Sequence, residues 1–462
     1  MKSDWSVFFN KVKEKVLNSD LELTPEELKK IKELVESLKS DIDKYQYDLM
    51  SLGRLLDYNE LKKTGKSKEQ IINYYEEDNE SIKEAISIFE SNRGIDHSQM
   101  FGYPANMIQD SYLISYFRWL ESQMYFMNSC GDAYHPGNYR MNNAEIEIKI
   151  IEIMKENLNL PKDKYWGYIN SGGTEGNFWG IREGLTKYSS GRVYYSDASH
   201  YSVSKFVDMV GNVKNEKIST NLGKIDMNEL LNKIIKNYKK NKEPAILLLT
   251  CGTTMLGSVD DVDLIKERLN ELKIPHYIHL DAAMYGGIPK NQVNSPVYEL
   301  LSKMDKLDLD SISISLHKYI GNTRVNGITL AKAHTNENYI DYIGQRDVTY
   351  LGSRDFAAFS TLQRIRELND RSNEYDYYKC VSAFETLLLE NDINFVKGDK
   401  NGNTFVIDKP SDEICKKYQL STFEFLGKEC AHIIIFPYHK LEDIKCLISD
   451  IKNDRIKSIV KK

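Results

Sequence analysis

From about residue 145 onward, short apolar runs alternate with longer stretches in which apolar residues recur every three or four positions. The runs at 165–169, 193–195, 245–250, 277–280, 312–315 and 328–331 are too short for helices, and read as strands. Between them, residues 146–157 form an amphipathic helical pattern. A second helix is expected from the loop Ser171-Gly-Gly-Thr-Glu-Gly176 to about Lys187. Alternation of this kind implies a mostly parallel sheet with helices on both faces. After about residue 375 a smaller α+β pattern follows, with strands near 404–407 and 432–436 and a closing helix from about Leu441. The first 95 residues read differently, as charged and helical. Thr24-Pro-Glu-Glu27 is a capping box with proline at the first helical position. Leu28, Ile31, Leu34, Val35 and Leu38 then make one apolar face. Further helices are expected near 68–75 and 81–89. The expected organisation is a helical arm over 1–95, a large domain over 96–370 and a small C-terminal domain over 371–462.

Composition narrows the class without naming a function. The chain has 462 residues, 41% hydrophobic and 28% charged, which is ordinary globular composition. Its 68 acidic and 62 basic residues give a net charge of −6 with no strongly basic half, so nucleic acid is a poor partner. The 6 cysteines are scattered with no CxxC pair. Neither a disulfide framework nor a metal site is expected, and reduced thiols are the simplest reading. No apolar stretch is long enough for a signal peptide or a membrane span. The expectation is a cytoplasmic protein with no membrane partner.

Residues with chemical potential sit where strands end. Gly172, Gly173 and Gly176 let backbone approach a ligand, and the following helix turns its free N–H groups and positive dipole end toward an anion. Thr174 adds a hydroxyl. The spacing fits neither a Walker loop nor the dinucleotide GxGxxG pattern. Asp281 ends an apolar strand and precedes Ala282 and Ala283; a carboxylate there needs a cation or several donors. Lys318 ends the alternating run Ser311-Ile-Ser-Ile-Ser-Leu-His-Lys. Ser315 and His317 share one face of that run and can donate to a phosphate. His200 follows another strand, where an imidazole can stack on a flat ring and position a carboxylate. Thr253, in Gly252-Thr-Thr254, offers a hydroxyl for a phenolic oxygen or a carboxylate. His279 and Cys251 read as buried core residues. A lysine able to form a Schiff base and an aspartate able to hold a pyridinium are the two groups that a pyridoxal phosphate enzyme needs most.

In this order the residues resemble the group II pyridoxal phosphate-dependent amino-acid decarboxylases, and among them the bacterial histidine decarboxylases and related plant serine decarboxylases. The resemblance is carried by Gly102-Tyr-Pro104, Asn128-Ser-Cys-Gly-Asp132, Tyr165-Trp-Gly-Tyr168, Gly172-Gly-Thr-Glu-Gly-Asn177, Tyr194-Tyr-Ser196 and Ser199-His-Tyr-Ser202. It continues through Gly252-Thr-Thr254, His279-Leu-Asp-Ala282, Ser311-Ile-Ser-Ile-Ser315, His317-Lys-Tyr-Ile-Gly321 and Gly352-Ser-Arg354. It implies a fold type I, aspartate-aminotransferase-like α/β architecture, working as a homodimer with active sites at the subunit interface. It implies that Lys318 is the Schiff-base lysine, His200 the ring-stacking histidine and Asp281 the pyridinium partner. Ser315 and His317 then lie around the phosphate, and Gly173, Thr174, Thr253 and Ala283 complete the expected cofactor site.

Two departures stand out. Leu316 replaces the glycine usual before His-Lys, and Arg354 is followed by Asp355-Phe-Ala-Ala-Phe359 instead of Asn-Gly-His. The expected reaction is decarboxylation of an L-amino acid, histidine-like or small and polar, to the amine and CO2. Tyr103, Tyr350, Arg354 and Asp355 are the candidate substrate residues, and Tyr342 and Tyr350 the candidate proton donors. A carbon–carbon lyase, an aminotransferase using Arg354 as a carboxylate clamp, and a non-catalytic partner subunit remain open alternatives.

Overall fold

A computed structural model describes residues 97–460, apart from 109, 124–128, 136, 140–141, 333–337, 355–356 and 371–376, together with Ser87. The chain divides into Met1–Gly94 and Ile95–Lys462. The helices expected over 24–38 and 68–75 lie outside the described residues, as does all of 81–89 except Ser87.

In the second unit, α1 (Tyr112–Gln123) and α2 (Ala144–Asn157) precede an alternating series. The series runs β1 (Trp166–Asn170), α3 (Gly173–Lys187), β2 (Arg192–Ser196), α4 (Tyr201–Val210), β3 (Asn215–Ile218), α5 (Met227–Asn241), β4 (Ala245–Thr250), α6 (Val262–Glu271), β5 (His276–Asp281), β6 (Ser311–Ser315) and β7 (Gly327–Ala331). After it come α7 (Ala358–Asp370), α8 (Tyr377–Glu390), β8 (Thr404–Asp408), β9 (Ser421–Phe425), β10 (Lys428–Ile434) and α9 (Leu441–Val460).

One seven-stranded sheet has the order β1-β7-β6-β5-β4-β2-β3. Neighbours from β6 through β3 pair in parallel, and β7 runs antiparallel to both β1 and β6. The reversal has a local cause. Only residues 316–326 join β6 to β7, which is too short for the helical crossover that a parallel partner needs. A second sheet, of four antiparallel strands, places β8 and β10 at its centre, flanked by Phe395–Val396 and β9. Its strand β10 begins at Lys428, earlier than the apolar run at 432–436 suggests. The polar residues Lys428 and Glu429 are held in strand conformation by pairing with Phe425 and Glu424 across a tight turn. One hydrophobic core joins the two sheets, through Ile312, Ile314 and Ile328 on one side and Phe405, Ile433 and Leu447 on the other.

The two faces of β5 and β6 differ in chemistry because side chains alternate along a strand. Ile278, Leu280, Ile312 and Ile314 enter the main core. The opposite face carries Tyr277, His279 and Asp281 beside Ser311, Ser313 and Ser315, all buried. Helix α3 covers this polar face closely. A Cβ at Gly180 would stand 2.1 Å from His279 Nδ1, and one at Gly176 would stand 2.5 Å from the Ser313 Cβ. Glycine at these positions lets the helix backbone settle onto the polar row. Among the described residues, no helix is long and apolar enough to cross a membrane.

Candidate active site

The carboxyl ends of β1, β4, β5 and β6 and the amino ends of α3 and α4 enclose a cavity of about 190 Å³. Ser171, Gly172, Gly173, Thr174 and Asn177 form one wall and His200 and Tyr201 another, with Thr250, Gly252, Thr254, Asp281 and Ala283 on a third side. Ser315, His317, Lys318 and Val325 close it. Ligands in open α/β sheets bind at such strand ends.

The glycine loop is built for close approach. Asn170 Oδ1 accepts from the Gly172 N–H (2.8 Å), and Gly172 has φ +125°, a conformation that suits glycine. Ser171 donates from both its N–H (2.8 Å) and its hydroxyl (2.7 Å) to Glu175, whose other oxygen accepts from Tyr168 (3.0 Å). Glu175 thereby pins the start of α3. A Cβ at Gly173 would lie 2.9 Å from Ser315 Oγ and 3.0 Å from the Ala283 Cβ. The Gly173 N–H donates to Ser315 Oγ (3.1 Å), which joins the loop to the end of β6.

Lys318 sits on the turn after β6. Its carbonyl accepts from Asn106 N–H (2.9 Å) and Gly321 N–H (3.1 Å), and Asn106 Nδ2 also donates to the Tyr319 carbonyl (2.9 Å). Burial lowers the Lys318 pKa, with Asp281 acting in the opposite direction. His317 Nδ1–H donates to the Asn326 carbonyl (2.9 Å), which leaves Nε2 as its open ring nitrogen.

Asp281 is buried, with Oδ1 accepting from the Ala283 N–H (3.0 Å) and Oδ2 from Asn177 Nδ2 (2.7 Å). His200 caps α4. Its Nδ1 accepts from the Ser202 N–H (3.3 Å) and faces the Ser202 hydroxyl (2.9 Å). Desolvation lowers its pKa, nearby Lys318 lowers it further, and Asp281 opposes both. With Nδ1 occupied as an acceptor, the neutral ring carries its proton on Nε2.

The cavity fits pyridoxal phosphate. A desolvated lysine and a buried carboxylate line one compartment, and a glycine-rich helix start with Thr174, Ser315 and His317 offers a place for a phosphate. Thr250 lines the same cavity, and its Oγ1, among the described residues, is buried without a hydrogen-bond partner.

The structure brings together most of the residues singled out from sequence. Lys318, His200, Asp281, Gly173, Thr174, Ala283, Ser315 and His317 all line the cavity. Thr253 does not. Its hydroxyl accepts from the Ser258 N–H (2.9 Å) inside the Gly252–Ser258 turn, while Thr250 and Thr254 reach the wall. Tyr103 and Tyr342 are 52% and 82% exposed and lie off the wall, and Tyr350 packs edge-on against Phe178. Asp355 lies outside the described residues.

Arg354 is placed elsewhere too. It is buried in an ion pair with Glu147, donates to the carbonyls of Ile169 (2.8 Å) and Gly131 (2.7 Å), and lies over the Tyr168 ring. A guanidinium so occupied ties α2 to β1 and is not available as a clamp on a substrate carboxylate. Arg354→Leu is expected to cost about 3–5 kcal/mol of stability, because it leaves Glu147 charged and buried without its partner. Denaturant unfolding measures this, and a loss below about 1 kcal/mol would contradict the structural role.

Asn177 and Ser202 appear in the sequence only as members of the resembling motifs, and Thr250 only as a strand end; none was given a role of its own. The available signal was the recurrence of glycine at 176, 180 and 184, one helical face that must meet backbone or a polar row closely.

Comparison with known proteins agrees with this geometry. Residues 186–369, which include His200, Asp281 and Lys318, match the model of the pyridoxal-dependent decarboxylase conserved domain. Histidine decarboxylase of Vibrio campbellii is 31% identical over 344 residues, covering 72% of this chain and 86% of the relative. That of Vibrio anguillarum is 32% identical over 366 residues, covering 76% and 90%. A solved structure of an L-methionine decarboxylase variant from Streptomyces sp. 590 superposes with a TM-score of 0.69 at 18% identity, over 81% of this chain and 94% of that one. At that identity the likeness is one of fold.

Proposed function

This chain belongs to the pyridoxal-dependent amino-acid decarboxylases, and from that premise we propose that the Lys318 cavity is its active site and histidine its substrate. It is a pyridoxal phosphate-dependent carboxy-lyase of fold type I, and its reaction converts an amino acid to the amine and CO2.

The observation that carries the site assignment is the convergence of Lys318, Asp281 and His200 on one cavity from three separate strand ends. When bound, pyridoxal phosphate supplies a conjugated ring that accepts the electron pair left on the α-carbon as CO2 departs. Lys318 would hold the cofactor covalently through Nζ, and its lowered pKa increases the share of neutral, nucleophilic amine. Asp281, fixed by two donors, would keep a proton on the ring nitrogen of a bound cofactor. The start of α3, with Thr174, Ser315 and His317, binds the phosphate. His200 has its Nε2–H left for the substrate carboxylate, and its imidazole, on the cavity wall, would pack against a bound cofactor. Grip on that carboxylate decides which bond at the α-carbon is aligned for cleavage.

Reduction of the holoenzyme with borohydride, followed by peptide mapping, is expected to place the pyridoxyl group on Lys318. Label on any other lysine would overturn the site assignment.

Histidine is favoured by the names of the relatives, two of which are 31% and 32% identical over most of their length. Release of CO2 from a panel of histidine, serine, methionine, lysine and aromatic amino acids tests the choice. Histidine is expected to give the highest kcat/KM, and a higher value for another amino acid would replace it.

A homodimer is also part of this proposal. Tyr201 and Val325, both on the cavity wall, are 68% and 69% exposed in the single chain. A second subunit seated over the mouth would cover them and dry the cavity. Light scattering of the holoenzyme is expected to give twice the chain mass. A monomer with full activity would show that one chain suffices.

A further inference from the structure

Asn177 lies one turn into α3, between the cavity and the polar face of β5 and β6, and its amide is fully engaged. Its Nδ2 donates to Asp281 Oδ2 (2.7 Å) and lies 3.5 Å from Ser202 Oγ. Its Oδ1 accepts from the Ser313 hydroxyl (2.7 Å) and from His279 Nε2 (3.1 Å). The chain extends further. His279 Nδ1 accepts from Ser311 Oγ (2.7 Å), which in turn accepts from the Tyr277 hydroxyl (2.8 Å).

Directions along this chain follow from chemistry. Tyr277 donates to Ser311, so the Ser311 hydroxyl donates to His279 Nδ1, and the neutral His279 ring carries its proton on Nε2. His279 is fully buried and its pKa is pushed down to about 4, chiefly by desolvation, so the ring is neutral at neutral pH. With Oδ1 fixed as the acceptor of two donors, Asn177 turns both amide hydrogens outward. One meets Asp281. The other meets Ser202, whose own hydroxyl proton goes to His200 Nδ1 (2.9 Å).

We propose that Asn177 is a positioning residue that sets the Asp281 carboxylate and the His200 imidazole in one fixed relation, through its two amide hydrogens. Although it lines the cavity, its amide is spent on Asp281, Ser202, Ser313 and His279. The inference rests on the assignment of Asp281 and His200 to the cofactor site and concerns what orients them. Fully satisfied buried networks of this kind specify a single arrangement, whereas an apolar residue of the same size would leave Ser313 and His279 without an acceptor. Aspartate at 177 would face the Asp281 oxygen at 2.7 Å with a second negative charge. Glycine at 180 is part of the same device, since any larger residue would displace His279 from Asn177.

The test uses holoenzyme loaded with pyridoxal phosphate carrying ¹⁵N in the ring. Its nitrogen resonance reports ring protonation directly, apart from turnover. Asn177→Leu is expected to bind cofactor, to move that resonance toward the unprotonated position and to lower kcat about 10- to 100-fold, with KM within about threefold. Ser202→Ala cuts only the His200 arm, and is expected to lower kcat while leaving the resonance at its wild-type position. Should Asn177→Leu fail to fold, the smaller Asn177→Ser is read by the same two criteria. An unmoved resonance in the position-177 variant, whatever its kcat, would overturn the proposal. A resonance moved equally by Ser202→Ala would also overturn it. Borohydride mapping separates this from the site assignment. Label away from Lys318 in wild type removes the assignment itself, while label on Lys318 with an unmoved resonance removes only the role of Asn177.

Discussion

Asp281→Asn is expected to lower kcat by about 10²–10⁴ while the protein stays folded and still binds its cofactor. The amide has almost the shape of the carboxylate but no negative charge. Without that charge the ring nitrogen loses its counter-ion in a buried site, where electrostatic interactions are stronger than in water. The ring then accepts an electron pair less well, and the barrier to loss of CO2 rises. A smaller local effect accompanies this. Asp281 accepts through both oxygens, from Asn177 and from Ala283, and an asparagine can accept at only one of those positions. The lost bond is worth about 1–3 kcal/mol, a stability effect separable from kcat by denaturant unfolding. Steady-state release of CO2, with bound cofactor measured by visible absorbance, makes the comparison. A variant within tenfold of wild type would mean that another group keeps the ring protonated.

Lys318→Arg is expected to reduce kcat about 10³-fold or more, for a different reason. Arginine keeps a cation near Asp281 but stays protonated at every working pH, so it has no free electron pair with which to attack a carbonyl. Lysine can deprotonate, and burial moves it in that direction. The variant should retain cofactor without covalent attachment, so borohydride should leave no pyridoxyl group on the chain. The charge-conserving change therefore separates electrostatic from nucleophilic roles. Turnover within tenfold of wild type, or label fixed on another residue, would show that Lys318 is not the attachment point.

Most of the frame was legible along the chain. The expected strands at 245–250, 277–280, 312–315 and 328–331 appear within one residue of their observed ends. They did so because each is a short apolar or alternating run bounded by glycine, proline or charged residues. The C-terminal strand was misplaced, because Lys428 and Glu429 are strand residues only by virtue of their partners across the turn. The direction of β7 was open to inference, since eleven residues with no helical pattern cannot carry a parallel crossover. The site was readable where a chemical residue stands at a strand end, as Asp281 and Lys318 do. It was unreadable where a role depends on a distant partner. Arg354 looked available for a substrate, and its occupation by Glu147 involves a residue 207 positions away.

The sequence by itself therefore determined the strand ends, the glycine-rich helix start, and the identities of the lysine, the aspartate and the two histidines that meet at the cavity. These depend on local periodicity and on side-chain chemistry, both of which are written in adjacent residues. Only the tertiary structure decided which polar groups are joined. It set Asn177 between Asp281 and Ser202, turned Thr253 away from the cavity in favour of Thr250 and Thr254, and buried Arg354 against Glu147. Hydrogen bonds and ion pairs are short-ranged and directional. Their partners are therefore fixed by how α3 and the loops settle on the sheet, which no stretch of neighbouring residues specifies.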